Sequence, residues 1–106
     1  MKVATFLKKV AKLTKEGKLE IIETSKNMFT KRKYNLTTED QEQMILELEP
    51  KDLVEGPVPD RGVVREDVWI FKRKYNGIEI CIYIKLKIRN NNECVCMSIH
   101  EDEKNK

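Results

Sequence analysis

The spacing of apolar residues divides this chain into a half with helical periodicity and a half with strand alternation. Val3, Phe6, Leu7, Val10 and Leu13 fall on one face of a helix, with lysines on the other. Thr5 to Glu16 therefore predicts an amphipathic helix, and Gly17 a C-terminal cap. Leu19 to Ile22 predicts a short strand or an extended linker. Ser25 to Lys33 predicts a second helix, short and basic. Asn35 and Leu36 lead into a third, capped by Thr37 or Thr38, with Glu39 and Asp40 suiting the positive helix end. It runs to about Leu48, turns Met44, Ile45 and Leu48 inward, and is closed by Pro50.

Gly56-Pro57-Val58-Pro59-Asp60-Arg61-Gly62 reads as a loop. Beyond it the period changes to two. Asp67 to Tyr75 is rich in strand formers, and Asn76-Gly77 signals a two-residue hairpin turn. From Ile78 to Arg89, isoleucines and a leucine alternate with Glu79, Cys81, Tyr83, Lys85, Lys87 and Arg89. Asn90-Asn91-Asn92 predicts a second turn. Cys94 to His100 is the last strand, with Val95, Met97 and Ile99 alternating against Cys94, Cys96, Ser98 and His100. The expected fold is α+β: N-terminal helices packed on one face of a C-terminal antiparallel β-sheet. The expected organisation is one domain over 1–106. Residues 1–55 form a mainly helical half, 56–66 a loop, 67–100 the strands and 101–106 a polar, frayed tail.

Register carries this pattern into chemistry. A two-residue turn at Asn76-Gly77 sets Phe71 opposite Ile82 and Trp69 opposite Ile84, with Ile70 meeting Tyr83 and Val68 meeting Lys85. A turn at Asn91-Asn92 sets Ser98 opposite Lys85 and His100 opposite Tyr83. The isoleucine face must be covered by helices. The opposite face then gathers Glu66, Lys72, Lys74, Tyr83, Lys85, Lys87, Arg89, Ser98 and His100. These residue types suit RNA cleavage without metal. A base takes the 2′-hydroxyl proton, an acid protonates the leaving oxygen, and cations stabilise charge on phosphorus. Histidine suits proton transfer near neutral pH, and lysines attract phosphate. The plainer account is a solvated sheet face, which is ordinarily polar.

Composition alters this picture little. The 106 residues suffice for one domain, and the net charge of +3 is weak support for a nucleic-acid partner. Charged residues reach 37%, but the apolar residues are patterned enough for a folded chain. No stretch reads as a signal peptide and no run is long and apolar enough for a bilayer, so a cytoplasmic location is expected. The three cysteines, Cys81, Cys94 and Cys96, form no complete disulfide framework. Together with His100 they offer zinc-ligand types on one expected face, but without Cys-x-x-Cys spacing, and no metal or other cofactor is expected. No carboxylate cluster for two-metal chemistry is evident.

Three stretches carry a resemblance to a known family. They are Phe6 to Leu13 with Gly17-Lys18; the Leu36-Thr37 turn and helix to Leu48 with Asp52-Leu53; and Tyr83-Ile84-Lys85-Leu86 with Ser98-Ile99-His100-Glu101. Together they resemble the MqsR toxins of bacterial toxin–antitoxin modules, whose fold is similar to RelE-type ribonucleases. A branch of that family shares the Gly-Pro-x-Pro-Asp loop, here Gly56 to Asp60, and a closing His-Glu. The resemblance implies an mRNA endonuclease that cleaves single-stranded RNA through a 2′,3′-cyclic phosphate. It also implies an antitoxin partner with a zinc-binding half and a helix-turn-helix half. The family's catalytic tyrosine matches Tyr83, its C-terminal catalytic lysine falls on His100, and its glutamine falls on Glu66. Its remaining lysine falls on Glu55, so that role is either lost or moved to Lys85. The expected catalytic set is His100, Tyr83, Lys85 and Glu66, with Lys72, Lys74, Lys87, Arg89 and Ser98 binding RNA. The alternative is a non-catalytic RNA- or protein-binding domain on the same basic face.

Overall fold

A computed structural model describes residues 1–62 and 66–103. Among them the chain forms α1 (Val3–Lys15), β1 (Leu19–Ile21), α2 (Ser25–Lys33), α3 (Thr38–Leu46), a single 3-10 turn (Pro50–Asp52), β2 (Leu53–Pro59), β3 (Asp67–Arg73), β4 (Ile82–Arg89) and β5 (Glu93–Glu101). The fold is α+β. The five strands form one sheet in the order β1-β5-β4-β3-β2, with β1 parallel to β5 and the other pairs antiparallel. The sheet is thus mixed rather than purely antiparallel, because the Leu19 segment adds a strand from the helical half.

The helices begin where their caps allow. Thr37 accepts from the Asp40 amide at 3.0 Å while Asp40 accepts from the Thr37 amide at 2.8 Å, a reciprocal box that selects Thr37 over Thr38. Thr24 caps α2 through the Asn27 amide at 3.1 Å, and Lys31, Arg32 and Lys33 complement the dipole at its other end. α1 and α3 cover the isoleucine face. Phe6 stacks on Trp69 with centroids 4.6 Å apart and lies 6.3 Å from Phe71. Val10, Leu13, Met44, Ile45 and Leu48 complete a core with Ile82, Ile84, Leu86 and Ile99.

Two register details correct the pleat expected from the sequence. The β3–β4 pairing sets Phe71 opposite Ile84 and Lys72 opposite Tyr83, two residues away from a tight turn at Asn76-Gly77. Tyr75 and Ile78 do not pair as strand ends. Ile78 is buried, and the Tyr75 hydroxyl donates to the Met44 carbonyl at 2.6 Å, so this connection folds back onto the core. A shift of two preserves the faces. In the second hairpin the site end agrees with expectation: Tyr83 faces His100 and Lys85 faces Ser98. Between Lys85 and Leu86 the register slips by one, a bulge that leaves Met97 unpaired. Cys94 and Cys96 consequently lie opposite Ile88 and Leu86 and are fully buried, whereas Val95 joins Lys87 on the other face. The shared face of Cys94, Cys96 and His100 that a zinc reading required does not exist.

The Gly-Pro segment also differs from expectation. It is not a loop from residue 56 but the edge strand β2, irregularly paired to β3. Pro57 and Pro59 lack amide hydrogens, which an edge strand tolerates and which blunts pairing with other chains. Gly56, at φ +130°, admits no side chain, because a Cβ would lie 2.9 Å from the Val68 carbonyl oxygen. The tail is ordered further than expected. Glu101 belongs to β5, and the Asp102 amide donates to the Cys81 carbonyl at 2.9 Å with its side chain buried. Residues 63–65 of the expected loop and 104–106 of the expected tail lie outside the described residues.

Candidate functional site

The site rests on how α2 is fastened to β5. Among the described residues β1 pairs only with Cys94–Cys96, and beyond the bulge no strand lies beside the outer edge of β5. Two buried polar residues of α2 take its place. The Ile99 amide donates to Asn27 Oδ1 at 2.8 Å, and the Glu101 amide donates to Thr30 Oγ1 at 3.1 Å. Asn27 Nδ2 donates to the Ile22 carbonyl at 2.7 Å and the Met97 carbonyl at 3.3 Å. Asn27 and Thr30 are one helical turn apart, while Ile99 and Glu101 are two strand residues apart. The residue held between those two anchored amides is His100.

His100 stacks on Tyr83 with ring centroids 5.3 Å apart and planes 16° from parallel. Its Nδ1 lies 2.8 Å from the Glu101 carbonyl oxygen. A carbonyl only accepts, so Nδ1 carries the proton and the lone pair of the neutral ring is on Nε2. Burial, then the negative charge of Glu55, raises the Tyr83 pKa above its ordinary value. Tyr83 is therefore a neutral phenol at physiological pH, a donor rather than a base.

These rings form part of a cleft of about 760 Å3 that also takes in Lys72, Lys85 and Ser98 from the sheet, Ser25 and Lys26 from the start of α2, and Val54 and Glu55 from β2. The volume lies within the ~300–1,000 Å3 usual for ligand sites. Lys72 pairs with Asp102 at 3.0 Å, and Lys26 with Glu103 at 3.1 Å. Lys85 has no ion pair among the described residues. Asp102, Glu103, Lys26, Ser25 and Glu55 are cleft residues the sequence pattern did not select. Asp102 was hidden in an expected tail, and α2 reaches the cleft only through its attachment at the β5 edge.

The remaining expected residues lie elsewhere. Lys87 is buried and bridges Asp60 at 2.7 Å and Glu66 at 3.1 Å. Glu66 also accepts the Asn90 amide at 3.0 Å. The Asn90 amide first, and Lys87 second, hold the Glu66 carboxyl below its ordinary pKa. Lys87, with a lesser part from the Gly62 amide, does the same to Asp60. The carboxylates raise the Lys87 pKa in turn, against desolvation. Glu66 is thus engaged with Asp60 in a clamp on Lys87 of β4, and it does not line the cleft. Arg89 pairs with Glu20 at 2.8 Å and Glu93 at 3.2 Å, tying β1 to the β4–β5 hairpin. Lys74 is exposed in the β3–β4 connection and outside the cleft. Arg73 pairs with Asp52 at 3.0 Å. Among the described residues, no three His, Cys, Asp or Glu side chains are grouped so as to hold a metal ion.

Comparison with protein-family models, with curated proteins and with solved structures finds no match for this chain. Among the described residues no helix is long and apolar enough to cross a membrane.

Proposed function

We propose that the chain is an RNA endonuclease whose reacting groups are His100 and Tyr83, and that it is a toxin similar to the MqsR family with a RelE-like fold. The observation that carries this reading is the stacked Tyr83–His100 pair in a cleft with Lys85. His100 Nε2 takes the 2′-hydroxyl proton as the 2′-oxygen attacks phosphorus. The bond to the 5′-oxygen breaks, and that oxygen takes a proton from water. The products are a 2′,3′-cyclic phosphate and a 5′-hydroxyl. Tyr83, kept neutral, donates to a phosphate oxygen, and Lys85 offsets the charge gathering on phosphorus. Ser98, opposite Lys85, and Lys72 border the same phosphate path. Glu66 and Lys87 act as structure in this scheme.

The resemblance extends the proposal to a cytoplasmic mRNA substrate and an antitoxin encoded nearby, with zinc-binding and helix-turn-helix halves. The purified chain, incubated with a defined single-stranded RNA with and without EDTA, should yield cyclic-phosphate ends in both conditions. His100→Ala should lower the rate about 10²–10⁴-fold while binding falls much less. Loss of cleavage in EDTA, or an unimpaired His100→Ala, would refute the assignment. Absence of growth inhibition on expression, with no small adjacent reading frame, would remove the toxin reading.

A second reading is favoured by one observation: Asp102 and Glu103 neutralise Lys72 and Lys26, which leaves the cleft near charge balance. That balance suits a non-catalytic RNA- or protein-binding surface. Retained RNA binding by a Tyr83→Phe, His100→Ala double variant, with RNA as intact as in wild type, would support it.

A further inference from the structure

Beside the cleft lies a second concavity, of about 420 Å3, and His100 belongs to the lining of both. The lining of the second also includes Phe29 and Ile80, Lys26 and Thr30 of α2, and Glu101, Asp102 and Glu103. Phe29 is 62% exposed, although an aromatic side chain of a folded domain ordinarily buries most of its surface. It is held in that position by its neighbours on α2. Asn27 and Thr30 turn into the sheet to bond β5, and this leaves Phe29 on the side facing solvent.

Phe29's charged neighbours on α2 are basic, while Glu101, Asp102 and Glu103 line the concavity beside it. Lys26, Arg32 and Lys33 lie within one helical turn of it. Lys26 and Lys33 are partly offset by Glu103 and Glu101. Arg32 is exposed and has no ion pair among the described residues. An exposed aromatic ring flanked by cations provides a face for a nucleobase and a path for the adjoining phosphate. Single-stranded RNA is recognised in this manner, by bases splayed out onto aromatic rings.

We propose that the concavity between Phe29 and Ile80 is a nucleobase subsite. The base next to the phosphate at His100 leaves its neighbours and stacks on Phe29, with Ile80 closing the other side, and the strand continues past Arg32. This rests on the cleft being an RNA site. It adds that α2 holds the strand through a base rather than through phosphates alone. Because any base has a stacking face, Phe29 provides affinity and position with little sequence preference.

The test uses the full chain, a short mixed-sequence single-stranded RNA and an abasic ribose-phosphate oligomer of the same length. Phe29→Ala should weaken binding of the RNA by roughly 5- to 150-fold, the range one base–aromatic stack supplies. It should leave the salt dependence unchanged, since no phosphate contact is removed, and should not alter binding of the abasic oligomer. Phe29→Trp should bind as wild type. Its added emission should be quenched by the RNA and not by the abasic oligomer, with Trp69, buried in the core, as the constant background. Wild-type affinity in Phe29→Ala, or unchanged emission in Phe29→Trp, would overturn the subsite. Unchanged RNA binding with loss of affinity for the protein encoded next to this gene would also overturn it and assign the face to that protein. The two readings separate cleanly. Cleavage that is indifferent to Phe29 leaves the catalytic assignment standing and the subsite refuted. RNA binding that depends on Phe29, without cleavage, does the reverse.

Discussion

Replacing Asn27 with alanine tests the link between the helical half and the site most directly. The buried Asn27 side chain makes three hydrogen bonds, all to backbone, of which the one from the Ile99 amide is itself buried. At about 1 kcal/mol net for each bond, their loss amounts to ~3 kcal/mol. The stranded Ile99 amide adds to this where water cannot reach it. For a domain of this size, ~4–8 °C of melting temperature per kcal/mol translates to a drop of roughly 12–24 °C. Thr30→Val removes a single acceptor from the Glu101 amide and should cost about 1 kcal/mol. Asn27→Asp keeps an acceptor for Ile99 but sets a second oxygen against the Ile22 and Met97 carbonyls, so it should not rescue. Urea denaturation at an unchanged m value gives these differences. Hydrogen exchange locates them: the Ile99 and Glu101 amides should be deprotected before those of Cys94 to Cys96, which β1 still pairs. A loss in Asn27→Ala no greater than in Thr30→Val would refute the reasoning, since Asn27 would then not be what secures β5 beyond the bulge.

Three further outcomes are expected. Asp60 and Glu66 have folded pKa values below their ordinary ones, so their contribution is present above the ordinary carboxylate pKa and is lost as pH falls through the folded value. The urea midpoint should drop on acidification, and Lys87→Met should flatten only part of that slope, because the Gly62 and Asn90 amides still hold the carboxylates; an identical slope in the variant would refute the clamp. Burial pushes the Cys94 thiol up to about 12 and raises Cys96 as well, so a thiol reagent should modify Cys81 first in native protein and the other two only on unfolding; three fast thiols would mean that the bulge is misplaced. Lys85→Ala should weaken RNA binding and reduce its salt dependence, whereas Lys87→Ala should change stability and leave the salt slope alone; the reverse ranking in a salt titration would place phosphate at the clamp instead.

Much of this was legible in the sequence because it depends on local chemistry. Helical spacing and caps located α1, α2 and α3. Strict alternation from Ile82 to Ile88 separated the core face of β4 from the face of Tyr83 and Lys85. The expected register of the second hairpin also brought His100 to Tyr83, and the two-residue error in the first left the faces unchanged. Everything else depended on contacts between distant segments. A Gly-Pro run reads as a loop from local propensity, yet it is a strand because β3 needed an edge partner and an edge tolerates proline. Cys94 and Cys96 entered the core through a single bulge residue, which no alternation pattern reveals, because the count of residues is the same with or without it. Lys87 and Glu66 share the face of the site, but face is a one-dimensional property. Their distance along the sheet and the return of Asp60 across it made them a clamp. Asn27, Thr30 and Asp102 are polar residues in segments that sequence reading leaves to solvent. Only the docking of α2 against the edge of β5 turned Asn27 and Thr30 inward, and only the approach of Lys72 and Cys81 engaged Asp102, where burial made pairing obligatory.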